Sequence, residues 1–139
     1  MAPRANRDEV QGMMDAYIIS KLQETLQLTD EQYARMIVAQ KKLQDHRRDH
    51  QRRRMETLRD LQRIVSGPDP GDEDISRLLE ALENNRGEFV TQQQADYKAI
   101  DAILSIKQRA RHRLLEVEIE RRLQELVREI RGQRLPKRP

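Results

Sequence analysis

The chain has no cysteine. That absence excludes disulfides, thiolate zinc sites and cysteine nucleophiles, and it leaves the redox compartment open. Tryptophan is missing too, and the aromatics amount to one Phe and three Tyr. So few rings give little on which unstacked bases could stack. Gly and Pro number five each, so little in the chain interrupts regular structure. No apolar run reaches the ~18 residues needed to cross a bilayer as a helix. The opening MAPRANRDEV lacks the apolar stretch of a signal peptide. The expectation is a cytosolic protein, or a mature or engineered form that has lost its targeting segment.

What the chain does have is charge. Asp, Glu, Lys and Arg make up 37% of its 139 residues, against 36% for the hydrophobic set. The 27 basic residues are offset by 24 acidic ones, leaving a net charge of +3. That balance is not the clustered cationic surface on which nucleic-acid binding rests. A thick globular core is out of reach, yet the apolar residues recur regularly, which argues against disorder. A Leu/Glu/Arg/Gln-rich chain with few breakers reads as long helices.

The strongest break is SGPDPGDED, residues 66–74, where two prolines and two glycines force a reversal. On either side, helical stripes step by three or four: Tyr33, Met36, Gln40, Leu43, Arg47, His50 and Arg54 before it, and Leu78, Leu82, Arg86, Phe89, Gln93 and Tyr97 after it. Both stripes are apolar at their ends and polar in the middle. If the two helices run antiparallel, residues whose numbers sum to about 138 lie level.

Two helix starts share one chemistry. In LQLTDEQ, Thr29 is the N-cap and Gln32 the residue that bonds back, with Asp30 and Glu31 favouring the helix N-terminus; in ILSIKQR, Ser105 and Gln108 take the same places. Four helices follow, over about 13–26, 30–66, 73–103 and 106–131. Residues 1–12 are expected to be a flexible N-terminal segment, 13–131 a single helical domain, and 132–139 a basic flexible tail. A helix from 30 to 66 is ~55 Å long, so the molecule should be elongated and should cover part of its apolar stripe in a homodimer.

The paired motif, Leu28-Thr29-Asp30-Glu31-Gln32 and Leu104-Ser105-Ile106-Lys107-Gln108, resembles the LTxxQ motifs of the Spy/CpxP superfamily, with Ser for Thr in the second copy. RARHRLLEVEIERRLQELVREI looks like the closing helix of that family's metal-sensor branch. The resemblance covers roughly residues 15–131. It implies an all-α fold of four helices with a long antiparallel hairpin, assembled as an elongated, cradle-like homodimer. It also implies a periplasmic location and one of two activities: ATP-independent chaperoning in a stress response, or heavy-metal sensing.

QDHRRDHQRRR, residues 44–54, has no apolar side chain and carries five Arg and two His. His46 and His50 share one helix face, and His112, on a fourth helix folding back, could join them around zinc or a similar ion, although the surrounding arginines oppose a dication. A docking surface is the other reading. Because a bundle seam would be apolar here, the polar middle is expected to face water. Basic groups beside apolar ones would attract an unfolded chain by charge and hold it by burial. The expected client contacts are Arg47, Arg53, Arg54, Met55, Arg86 and Phe89, with Thr29, Gln32, Ser105 and Gln108 as structural caps. A plain helical scaffold stays open as a third reading. No catalytic constellation is legible: there is no Gly-rich phosphate loop, Ser105 is used as a cap, and the carboxylates are interleaved with Arg and Lys. The expectation is a non-enzyme that requires no cofactor and binds unfolded or partly folded proteins rather than nucleic acid.

Overall fold

The computed structural model describes the backbone from Arg7 to Arg134 and the side chains of residues 9–132. The described residues form four helices and no strand: α1 (Arg7–Leu26), α2 (Asp30–Val65), α3 (Asp72–Asp101) and α4 (Ile106–Arg134). The helix count and order match the sequence expectation.

Two bounds differ for one reason. The sequence reading starts the first helix after Gly12 and ends the last before Gly132, yet α1 and α4 run through both glycines. A Cβ at either position would meet no atom within 4 Å, so these are open surface positions. There Gly costs ~1 kcal/mol relative to Ala without breaking the helix. The ends of the chain, including Lys137 and Arg138 of the expected tail, lie outside the described residues.

The chain divides into two compact units, Met1–Ala34 with Leu104–Pro139, and Arg35–Ile103. In the first, α1 packs against α4. Ile18, Leu22 and Leu26 recur every fourth residue along α1, and His112, Leu115 and Ile119 step by three and four along α4; all are buried, together with Leu28 and Leu104. Each such aliphatic side chain contributes ~1.5–3 kcal/mol when fully buried. The turn out of α1 is sharp. Gln27 adopts a positive φ of 52°, and its N–H donates to the Gln23 carbonyl at 3.1 Å.

Both helix starts in this unit carry the expected capping box. The Gln32 N–H donates to Thr29 Oγ1 at 3.2 Å, and the Thr29 N–H donates to Gln32 Oε1 at 3.1 Å. The Gln108 N–H donates to Ser105 Oγ at 3.3 Å, and the Ser105 N–H to Gln108 Oε1 at 2.9 Å. The sequence gives no sign that the two boxes touch, but they do. Gln32 Nε2 donates to Gln108 Oε1 at 2.8 Å, and Gln108 Nε2 donates to Gln32 Oε1 at 3.1 Å and to the Leu26 carbonyl at 3.2 Å. One pair of amides therefore ties the N-termini of α2 and α4 to the C-terminus of α1.

The second unit is a helical hairpin. After α2, the Gly67 N–H donates to the Ile64 carbonyl at 3.1 Å, and α3 opens at Gly71 with no side-chain cap. Asp72, Glu73 and Asp74 fill its first turn, where negative charge offsets the exposed N–H groups. The buried side chains of this unit are Met36, Gln40, Leu43 and Gln44 on α2, and Asp96 and Ile100 on α3. From Asp45 to Ala95, no side chain is buried. This length of helix pair has a surface on every side and almost no core.

Candidate functional site

Positions 46, 49, 50 and 53 follow the i, i+3, i+4, i+7 spacing that puts side chains on one helix face. Positions 88, 91, 92 and 95 do the same on α3. Between these faces lies a groove of about 590 Å³, whose lining includes His46, Asp49, His50, Arg53, Phe89 and Gln92.

The contacts across it are polar and aromatic. His46 Nδ1 lies 2.8 Å from Asp96 Oδ2. The Asp96 side chain is 8% exposed, and its other oxygen accepts from Gln92 Nε2 at 3.3 Å. An ionised carboxylate can only accept, so His46 donates through Nδ1 and, when neutral, keeps its lone pair on Nε2. One turn on, the His50 ring stacks on Phe89 with centroids 4.1 Å apart and planes 15° from parallel. Asn85 Nδ2 reaches the His50 carbonyl at 3.5 Å. His50 Nδ1 and Asn85 Oδ1 are buried with no hydrogen-bond partner, which costs roughly 1–3 kcal/mol for each such group.

The polar middle of the hairpin does face water at Gln51 to Arg54, Arg86 and Gln94, but the expectation that a seam would be apolar there is corrected: His46, Arg47 and His50 make the contacts across to α3. The His50–Phe89 stack fits the expected register, its numbers summing to within one of 138, whereas the longer polar side chains of His46 and Arg47 reach partners further along α3.

The expected client contacts divide into two groups. Arg47 is tethered across the hairpin, its Nη2 donating to the Tyr97 hydroxyl at 2.6 Å and its guanidinium lying 5.8 Å from the Tyr97 ring centroid. Arg53 bridges Asp49 at 3.3 Å and Glu88 at 3.5 Å while remaining half exposed. Phe89 is half-buried under His50, whereas Arg54, Met55 and Arg86 are exposed. Sequence reasoning missed Asp96 and Tyr97 as partners. The level rule points to residues 92 and 91 for His46 and Arg47, so Asp96 lies about one turn beyond its expected place and Tyr97 nearly two.

His112, the expected third metal ligand, has partners on its own helix. His112, in the first unit, is fully buried, and Arg113 Nη1 lies 2.9 Å from its Nδ1. Arg has no lone pair to offer, so Nδ1 is the acceptor and its lone pair is used. Nε2 then carries the proton, 4.0 Å from Glu116 Oε1. Among the described residues, no group of three or more His, Asp or Glu is placed to hold a metal.

No protein-family model matches the chain, and neither curated proteins nor solved structures yield a similar protein. The site therefore has to be interpreted from its own chemistry. It combines half-exposed cations, two acids and an aromatic stack in a shallow groove. Among the described residues, no helix is long and apolar enough to cross a membrane.

Proposed function

We propose that the protein is an ATP-independent holdase that binds unfolded or partly folded chains along the α2–α3 hairpin and slows their aggregation. One observation carries this reading: from Asp45 to Ala95 no residue is buried as a whole, and large apolar side chains stand exposed among charges. Met55 is 39% exposed, Val90 48%, Leu79 49% and Val65 54%. An unfolded segment offers backbone, apolar groups and charges in no fixed order. A surface of interleaved Met, Val, Leu and Arg can meet such segments in many registers. Charge sets the encounter rate and apolar burial the residence time.

Arg53, Arg54, Met55, Arg86 and Phe89 are the proposed client contacts, and Arg47, held by Tyr97, forms part of the wall beside them. The paired LTxxQ-like motifs support the same reading by resemblance, and with it a periplasmic location.

The test is light scattering by an unrelated, chemically denatured protein diluted into this one without ATP, in chelator and again with added zinc. Suppression of scattering in chelator is expected. Suppression only with zinc would move the function to a metal-responsive protein, and none under either condition would leave a helical scaffold.

A further inference from the structure

Helix α4 buries Leu115 and Ile119 in the core of the first unit. About half a turn round lie Ile106, Ala110, Leu114 and Val117, of which Ile106 is 80% exposed, Leu114 71% and Val117 66%. An outward helix face in water is ordinarily polar.

Cations border this stripe on both sides. Lys107 and Arg111, four residues apart, lie along one edge, and Arg109 and Arg113 along the other. Between Asp101 and Glu116 the chain holds these four cations and no acid. Lys107 and Arg111 form no ion pair among the described residues. The other long helices are built differently: α2 opens on Asp30 and Glu31, and α3 on Asp72, Glu73 and Asp74, while α4 has no acid in its first turn.

The two chemistries together select the partner. A second helix is a poor fit, because a seam through Leu114 and Val117 brings Lys107 and Arg121 into line with Leu114, seven residues to either side. A helical partner requires apolar groups there. A lipid surface imposes no such register. Lys and Arg lay their stems along apolar neighbours and lift their charge to the headgroups. The cations that spoil a helix seam therefore suit a membrane interface.

We infer that residues 106–117, the first three turns of α4, rest on an anionic lipid surface. Ile106, Ala110, Leu114 and Val117 face the acyl boundary, and Lys107, Arg109, Arg111 and Arg113 sit among the phosphates. The contact is peripheral and ~18 Å long, and the opposite face of α4 stays packed on α1. So few apolar side chains anchor weakly, and binding depends on charge and falls as salt rises. The inference is independent of client holding, which scattering reads without lipid.

Flotation of the full chain with vesicles tests it, comparing equal parts phosphatidylcholine and phosphatidylglycerol with phosphatidylcholine alone. Binding to the mixed vesicles only is expected, weakening with added salt. Lys107→Glu with Arg111→Glu should weaken it about twentyfold or more, since each cation near an anionic surface is worth roughly a factor of five. Leu114→Ser leaves the charge unchanged and should weaken it several-fold. Far-UV circular dichroism should show both variants folded, because Leu114 is exposed and an acid at position 107 suits the first turn of a helix. Lys41→Glu with Lys42→Glu, at exposed positions on α2, makes the same change in net charge and should bind within about twofold of wild type. No flotation with the mixed vesicles, equal flotation with both lipids, or binding indifferent to Leu114→Ser would each overturn the proposal. So would a Lys41 and Lys42 variant as weak as the Lys107 and Arg111 variant. Capture of a soluble peptide of alternating Glu and Leu in preference to the vesicles would also overturn it, and would give the face to a protein partner.

Discussion

Replacing Gln108 by Glu separates two roles that the capping boxes combine. Glu is as good as Gln at the third position of a capping box, so a purely local cap predicts no loss. The structure gives Gln108 more to do: its Nε2 donates to both Gln32 Oε1 and the Leu26 carbonyl. A carboxylate cannot donate, and it would sit beside the negative end of α1. With each part-buried hydrogen bond worth ~0.5–1.5 kcal/mol net, Gln108→Glu should destabilise by about 1–2 kcal/mol. Gln108→Ala, which also removes the cap acceptor, should cost about 2–3 kcal/mol. At roughly 4 °C per kcal/mol for a chain of this size, the Ala variant should melt about 8–12 °C lower.

Urea unfolding followed by far-UV circular dichroism is the assay, with an unchanged m-value as the check that unfolding remains comparable. The double-mutant cycle of Gln32→Ala with Gln108→Ala should show a coupling of about 1 kcal/mol or more, as expected for groups in one hydrogen-bond network. Additivity within ~0.3–0.5 kcal/mol, or a Gln108→Glu variant as stable as wild type, would refute the joined-box reasoning.

Gln27→Gly should stabilise the protein by about 0.5–1 kcal/mol, because the left-handed backbone at φ 52° strains any side chain but suits glycine; a lower melting temperature would show that the Gln27 side chain matters more than its backbone. Asp96→Ala should destabilise by about 1–2 kcal/mol, since it removes the acceptor shared by His46 and Gln92, with the effect reduced by the 40% exposure of His46. Urea melts of this variant that overlay the wild type would mean that the seam is held by apolar contacts instead.

The groove shows why reading a sequence by face type has limits. A run such as QDHRRDHQRRR is judged by water affinity, and by that measure it belongs outside. A buried carboxylate with two donors, an Arg on a tyrosine hydroxyl and a His stacked on Phe each satisfy polar groups by pairing them. Pairing depends on the partner helix, and no single helix contains that information. The histidines illustrate the same point. Spacing alone made His46 and His50 candidate ligands, but Asp96 and Phe89 decide what the two rings do.

By itself, the sequence determined what depends on near neighbours along the chain. The four helices follow from periodicity, the reversal at residues 66–71 from proline and glycine, and the two capping boxes from Thr29, Gln32, Ser105 and Gln108, because these effects act over three or four residues. Only the tertiary structure decided that Gln32 and Gln108 bond to each other, that Asp96 lies under His46, and that α4 keeps one apolar face buried and the other bare. Those outcomes depend on which residues, fifty or more positions apart, arrive at the same place, and local periodicity does not encode that.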